Sequence, residues 1–157
     1  MQNNKLAYDN NVFVDIEVSD HLYVRKGDIL ICVRNGSRKL IGKCALIDED
    51  SAGHTFGAFM SIYRTEFWPF IFHAFQGHYI QKQIRDNIGA TINQITNKDM
   101  RALCVKLPPT EDEQTAIAEV LSDMDAEIAA LERRREKTQD LKQGMMQELL
   151  TGKTRLI

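Results

Sequence analysis

The sequence predicts an α+β fold, in which a small β-rich domain with packed helices precedes a long C-terminal coiled-coil helix. Short apolar runs separated by turn signals fill the first half of the chain, as in an antiparallel sheet. An aromatic stretch with helical spacing follows at residues 66–86. Residues 108–157 have the length and the apolar spacing of one long helix. We therefore expect a globular domain over residues 1–107 and a helical segment over residues 108–157.

The C-terminal helix has a marked start and a marked end. Thr110 and Glu113 have the spacing of a capping box, in which each side chain bonds the backbone N–H of the other residue. Gly152 suits the position after a helix end, because glycine turns left-handed without steric cost. About 40 residues at 1.5 Å each give a helix of about 60 Å, roughly twice the span of a small domain. Part of this helix therefore needs a partner.

The apolar spacing of this helix predicts that its partner is another helix. The residues of one stripe recur at alternating steps of four and three, which is the seam of a coiled coil. The seam comprises Ile117, Leu121, Met124, Ile128 and Leu131, then the polar Arg135, Thr138 and Lys142, and finally Met145 and Leu149. Polar seam residues cost stability but fix register and orientation. An amphipathic helix lying on its own domain is the alternative interpretation for part of the segment.

Composition and charge limit the classes of function. The chain has 157 residues, 43% of them hydrophobic, so it can bury a core. Its formal net charge is −2, divided into +2 for residues 1–110 and −4 for residues 111–157. A mildly basic globular part is weak support for a polyanionic partner. Cys32, Cys44 and Cys104 lie in apolar surroundings without a CxxC pattern, which predicts reduced core thiols in a cytoplasmic protein.

The predicted elements of the globular domain are mostly strands. Strand-like or extended runs lie at 13–18, 28–33, 40–47, 55–63, 90–95 and 104–107. Asn35-Gly36 is a strong turn signal between the second and third runs and predicts a β-hairpin. Thr96 and Asp99 have capping-box spacing at the start of a short helix over residues 97–103.

The aromatic stretch at residues 66–86 predicts one helix packed on the sheet. Pro69 suits a first helical turn, and four aromatic residues recur at helical spacing: Trp68, Phe72, Phe75 and Tyr79. Such a cluster could stack on nucleic-acid bases. A buried core is the favoured interpretation, because so apolar a run is costly to leave exposed.

Motifs for catalysis or metal binding are absent from the sequence. It has no Gly-rich phosphate loop, no HExxH and no GxSxG. The four histidines lack metal-ligand spacing, and no clustered carboxylates suggest a two-metal nuclease. The LPPT stretch at 107–110 lacks the flanking Asn or Asp and the aromatic residue of an amino-methyltransferase loop. We predict a chain without catalytic activity, cofactor or metal of its own.

The remaining candidate site is a basic loop in the predicted hairpin. Its candidate DNA-binding residues are Arg34, Asn35, Ser37, Arg38, Lys39 and Lys43, and a second polar edge supplies Asn93, Gln94 and Lys98. Arg pairs bidentately with guanine and Asn with adenine, while Lys and Ser contact phosphates. A solvated turn would also carry these charges, and the loop taken alone favours that explanation somewhat.

Several motifs of the C-terminal stretch occur together, namely LPP at 107–109, EQ at 113–114, IAEVL at 117–121, a Lys-rich middle, and QELLTGKTRL at 147–156. In this combination they resemble the conserved spacer region of type I restriction–modification specificity (S) subunits. The stretches KGDILICVRNGSRKLIGKCALI at 26–47 and ATINQITNKDM at 90–100 are similar to part of a target-recognition domain of the same family. The resemblance covers about residues 8–157 and is strongest from residue 105 onward.

The resemblance implies a division of labour. Specificity subunits read double-stranded DNA without catalysing a reaction, while modification subunits bring S-adenosylmethionine and methylate adenine, and a motor-nuclease subunit cleaves. A full-length member has two target-recognition domains, each reading half of a split target, and two helices packed antiparallel. These helices set the distance between the halves and dock the modification subunits. The chain is therefore expected to bind DNA and a modification subunit.

We expect this sequence to depart from the family pattern, with one recognition domain and one helix and without the usual opening segment. We expect a natural half-subunit, one product of a split gene or a truncated form. A half-subunit could supply the missing helix by forming a two-fold homodimer. The alternative is an assembly or regulatory module, whose helix binds modification or specificity subunits without independent DNA reading.

Overall fold

The computed structural model describes residues 5–6, 8, 12–13, 15–89 and 92–157. The chain divides into two compact units, Met1–Ala118 and Glu119–Ile157. The assignment of a recognition domain to residues 1–107 and of a spacer helix to residues 108–157 stays a prediction, because compactness does not show which residues read DNA.

A three-stranded antiparallel sheet organises the first unit. Its strands are β1 (Ile29–Cys32), β2 (Cys44–Leu46) and β3 (Met60–Tyr63), in the spatial order β2-β1-β3. Ile29 of β1 lies opposite Leu46 of β2 on one side and opposite Tyr63 of β3 on the other. The hairpin predicted around Asn35-Gly36 is therefore confirmed as the β1–β2 pair, although β2 is shorter than the predicted run at 40–47. Residues Arg38–Leu40 form a 3-10 turn instead of the start of a strand.

Three short helices accompany the sheet: α1 (Trp68–Gln76), α2 (His78–Asn87) and α3 (Asn97–Arg101). The prediction of one continuous helix over residues 66–86 was wrong. Gly77 has extended backbone angles (φ −66°, ψ 147°), and its N–H donates to the carbonyl oxygens of His73 and Ala74. This closes α1, and α2 begins at the next residue, His78. The capping box of Thr96 and Asp99 is present at α3.

The main core lies between one face of the sheet and the helices. Its buried residues are Ile29, Ile31, Val33, Ile41, Cys44, Ile71, Phe75, Ile80, Ile84 and Ile95. Phe75 is fully buried and Phe72 packs against the cluster, so the aromatic stretch is mainly a core element, as predicted. Tyr79, on α2, is exposed. A smaller cluster contains Leu30, whose side chain points to the opposite face of β1 from Ile29 and Ile31.

The structure describes all residues of the predicted runs at 13–18, 90–95 and 104–107 except residues 14, 90 and 91. The described residues of these runs form no strand. Residues 103–107 are held differently. The side-chain amide of Gln83 donates to the Cys104 carbonyl oxygen and accepts the Cys104 N–H, both at 2.9 Å. A side chain of α2 thus replaces a neighbouring strand. This places Cys104 at the surface, so the prediction of a core thiol was wrong at Cys104 and right at Cys32 and Cys44.

The long helix α4 runs from Glu111 to Leu150, which is 40 residues. At its start the Thr110 hydroxyl accepts the N–H of Glu113 at 3.2 Å. After its end Gly152 adopts a left-handed backbone, with φ +72°. The predicted start and end of the helix are therefore confirmed, with one of the two hydrogen bonds of the predicted capping box present. No described helix is both long enough and apolar enough to cross a membrane.

Candidate nucleic-acid interface

The loop between β1 and β2, residues 33–43, is held at its base by backbone hydrogen bonds. The Gly42 N–H donates to the Cys32 carbonyl oxygen at 2.8 Å, and the Cys32 N–H donates to the Lys43 carbonyl oxygen at 2.9 Å. Gly42 has φ +82°, a conformation that glycine adopts without strain. The buried side chain of Ile41 anchors the loop in the main core. The loop is thus a formed structure rather than a loose connection.

The structure brings the two predicted polar stretches together. Arg38 donates from Nε to Asn93 Oδ1 at 3.0 Å and from Nη2 to the Gly89 carbonyl oxygen at 2.8 Å. Asn93 Nδ2 donates in turn to the Gly36 carbonyl oxygen at 2.9 Å. The Asn35 side chain accepts the N–H of Ser37 at 2.9 Å. Three of the predicted binding side chains therefore hold the loop in shape.

Backbone pairing extends this junction beyond the end of β1. Arg34 and Gln94 form an isolated antiparallel bridge, and the Ile95 N–H donates to the Val33 carbonyl oxygen at 2.9 Å. Ile95 is fully buried and fixes this segment to the core. The two stretches, residues 33–43 and 92–95, form one continuous surface, which we call the junction surface.

The junction surface is basic. Residues 29–47 contain four basic residues and no acidic residue, and residues 88–98 contain Lys98 and no acidic residue. The exposed members of the predicted set are Arg34, Ser37, Arg38, Lys39, Lys43 and Lys98, while Asn35, Asn93 and Gln94 are partly buried. Lys98 lies on α3 and not within the loop network. A surface of one sign favours a polyanion.

Sequence reasoning missed Phe59 as a member of this surface. Its carbonyl oxygen accepts the N–H groups of both Val33 (3.0 Å) and Arg34 (3.2 Å). Its ring is 55% exposed and lies under the guanidinium group of Arg34, with Cζ 5.3 Å from the ring centroid. No local pattern predicts this contact, because it depends on the pairing of β3 with β1.

The seam predicted on α4 is exposed through most of its length. Leu121, Met124, Ile128, Leu131 and Met145 are exposed large apolar side chains. The acidic and basic residues of segment 111–157 are separated along the chain. Residues 111–132 contain eight acidic residues and no basic residue, whereas residues 133–157 contain seven basic and three acidic residues.

No group of three or more His, Cys, Asp or Glu side chains in the described ranges is arranged to hold a metal ion. Among described groups, a clearly shifted pKa is found for the carboxyls of Asp28, Asp48 and Asp99, the thiols of Cys32 and Cys44, and the guanidinium of Arg64, whose pKa is raised by hydrogen bonding to Asp28. Asp99 is an example, since hydrogen bonds from the Thr96 hydroxyl and N–H lower the pKa of its carboxyl.

Two solved structures share this fold. A chain from a structural study of complex assembly and conformational transition of the type I R-M system superposes with a TM-score of 0.63 at 21% identity, over 85% of this chain and 35% of its own length. The HsdS subunit from Thermoanaerobacter tengcongensis gives a TM-score of 0.57 at 21% identity, over 80% of this chain and 33% of its own. Both likenesses show that this chain shares their fold.

The family is established from the sequence match. Residues 2–141 match the family model described as type I restriction modification DNA specificity domain, and the chain belongs to this family. A curated type I restriction enzyme MjaX specificity subunit from Methanocaldococcus jannaschii is 40% identical over 68 residues, which are 43% of this chain and 16% of the relative. The chain thus matches about a sixth of that relative and about a third of each solved chain.

Proposed function

We propose that this protein is a non-catalytic DNA sequence-recognition subunit of a type I restriction–modification complex, and that it reads one half of a split target. The observation that carries the proposal is the junction surface, where a formed loop presents exposed basic side chains with no acidic residue in either segment. Family membership supports DNA as the polyanion. In the predicted set of nine residues, Asn35, Arg38 and Asn93 hold the loop in shape. Arg34 and Gln94 are then the groups proposed to read bases, and the Lys and Ser groups those proposed to bind phosphates.

The second part of the proposal is self-association through α4. An exposed apolar seam over 40 residues supports a helical partner. The divided charge favours an antiparallel second copy, because the acidic half of one helix then faces the basic half of the other. A parallel pair would bring eight carboxylates together with eight more. The resulting dimer has two-fold symmetry and presents two junction surfaces to a target with symmetric halves.

The third part is docking of a modification subunit on the same helix. The polar seam residues Arg135, Thr138 and Lys142 interrupt the apolar stripe before it resumes at Met145. A dimer seam of uniform packing has no need of three consecutive polar positions. At this section, we propose, the helix stops contacting the second copy and begins to contact the modification subunit.

DNA reading is tested by selection from a randomised duplex library, using this chain together with its modification subunit. The expected result is a recovered pair of fixed half-sites at constant spacing, which then shifts in an electrophoretic mobility assay. Replacing Arg34, Arg38 and Lys39 together by Ala should weaken binding of that duplex at least tenfold. Recovery of no sequence preference would refute the proposal.

Self-association is tested by sedimentation equilibrium of the purified chain at micromolar concentration. The Leu121→Asp, Ile128→Asp double variant should be monomeric, because it buries two charges in the seam. The Ala126→Asp, Ala130→Asp variant makes the same charge change at exposed positions off the seam and should remain a dimer. A wild-type monomer would end this part of the proposal and leave DNA reading to be judged separately.

An assembly module without DNA reading is the second candidate, favoured by the length of the exposed seam. The two candidates differ in one result. If the complex binds its selected duplex with unchanged affinity after the triple Ala replacement in the loop, the assembly role is the correct one.

A further inference from the structure

Arg34 and Arg38 lie four residues apart in one loop but are held in different ways. Arg38 directs Nε and Nη2 at acceptors of this chain, Asn93 Oδ1 and the Gly89 carbonyl oxygen. The Arg34 guanidinium lies over the Phe59 ring, with Cζ 5.3 Å from the centroid. Among the described residues, no acceptor lies within hydrogen-bonding distance of the Arg34 guanidinium. Two of the five Arg38 N–H donors therefore hold the loop, whereas all the Arg34 side-chain donors are open to a ligand.

Stacking on an aromatic ring orients a guanidinium group without using its N–H groups. The donors of an arginine lie in the plane of the group, so a ring beneath that plane leaves the donor edge open. The contact also limits side-chain rotation and so reduces the entropy lost when the donors engage an acceptor pair. At 5.3 Å from the ring centroid, Arg34 lies within the range of a cation–π contact.

The backbone fixes this pair more firmly than an ordinary surface contact. One carbonyl oxygen, that of Phe59, accepts the N–H groups of Val33 and Arg34. On the other side Arg34 is bridged to Gln94. Arg34 is thus held between Phe59, the residue before β3, and the segment at residues 92–95.

We infer that Arg34 is the guanine-reading residue of the junction surface and that Phe59 is its positioning residue. Two parallel N–H donors match the O6 and N7 acceptors that guanine presents in the major groove. Phe59 acts through Arg34, by holding the donor edge toward the base. This inference rests on the proposed function, since it assigns the base and the residues of that same surface.

The test uses the chain in complex with its modification subunit and the duplex selected by the wild-type protein. Each base pair of that duplex is replaced in turn, and binding is measured by competition. The Phe59→Leu variant should lose about tenfold or more in discrimination at one G·C pair and little elsewhere. Phe59→Trp should restore that discrimination, because it restores a ring under Arg34. Arg34→Ala should lose discrimination at the same pair.

Tyr79 supplies a matched control. Its ring is 48% exposed and lies under Lys106, with Nζ 5.1 Å from the centroid, but this pair is on α2 and the segment after α3. Tyr79→Leu should leave discrimination at every base pair unchanged, with a thermal midpoint close to that of Phe59→Leu. A general loss of stability would affect both variants alike and would not select one base pair.

The outcomes separate the two claims. If the wild-type complex selects no sequence, both the proposed function and this inference are wrong. If the wild-type complex selects a sequence but Phe59→Leu discriminates as well as wild type at every G·C pair, only the inference fails. Equal discrimination at that G·C pair by Phe59→Leu and Phe59→Trp would also overturn the inference, because the ring would then have no role beyond apolar volume.

Discussion

Replacing Gly42 by Ala is expected to lower the free energy of unfolding by about 3 kcal/mol and to disturb the basic loop. Gly42 has φ +82°, where a non-glycine residue costs about 1–2 kcal/mol. A Cβ atom there would lie 2.9 Å from Ile84 Cγ2 and 3.0 Å from Ile84 Cδ1. Ile84 is fully buried and cannot move aside, so the contact adds overpacking of about 1–3 kcal/mol.

Two other glycines separate these contributions. Gly53 has φ +83° but open space around it, so Gly53→Ala should cost only the backbone part, about 1–2 kcal/mol. Gly36 has neither a positive φ nor a close neighbour, so Gly36→Ala should change stability by less than about 0.5 kcal/mol. The predicted order of destabilisation is therefore Gly42, then Gly53, then Gly36.

The assay is urea unfolding of the full chain followed by circular dichroism, with the three variants compared at one protein concentration. If Gly42→Ala were no more destabilising than Gly53→Ala, the packing of the loop against α2 would be looser than described. Because the loop base carries the Gly42–Cys32 hydrogen bond, the same variant should also weaken DNA binding by the complex.

Two further predictions concern buried ionisable groups. The Asp28 carboxylate is buried and bound by Arg64 at 2.6 Å, so Asp28→Ala should cost about 2–3 kcal/mol in urea unfolding. Burial of Asp28 opposes its ionisation, but hydrogen bonds from Arg64 and the Arg25 N–H outweigh this effect and lower the pKa of the carboxyl. The stability that Asp28 contributes is therefore present above about pH 4 and is lost as pH falls through the folded pKa. A constant difference in unfolding free energy between variant and wild type down to pH 2 would contradict this. In thiol titration at pH 7.5, one thiol should react rapidly, that of the exposed Cys104, because burial raises the pKa of Cys44 to about 12 and also raises that of Cys32. Rapid reaction of two or three thiols would show that the core opens.

The sequence predicted the elements whose signals are local. The hairpin around Asn35-Gly36, the cap at Thr96 and the long helix from Glu111 each depend on residues close together in the chain, and each is present. The prediction of one helix over 66–86 was wrong at Gly77, whose extended backbone angles end α1. The apolar residues keep their helical spacing across this break. Periodicity does not report such a break, because both helices pack on the same core.

The candidate site was predicted as two separate stretches, and their contact required the fold. Nothing in the spacing of Arg38 and Asn93 indicates a hydrogen bond across 55 residues. The sequence also gave Arg34 and Arg38 the same role, while their partners in the structure differ. Phe59 was not predicted at all, since its place beside Arg34 results from strand pairing. Residue types therefore identified the chemistry of the site, and long-range pairing decided which side chains remain available.

Competition binding, measured on the complex of this chain with its modification subunit, tests whether the chain reads DNA sequence. The measurement compares the selected duplex with one in which the base pairs of one half-site are shuffled. We predict that the wild-type complex prefers the selected duplex by about a thousandfold or more, and that Arg34→Ala reduces this preference. Equal competition by the two duplexes would contradict the claim that this chain reads DNA sequence.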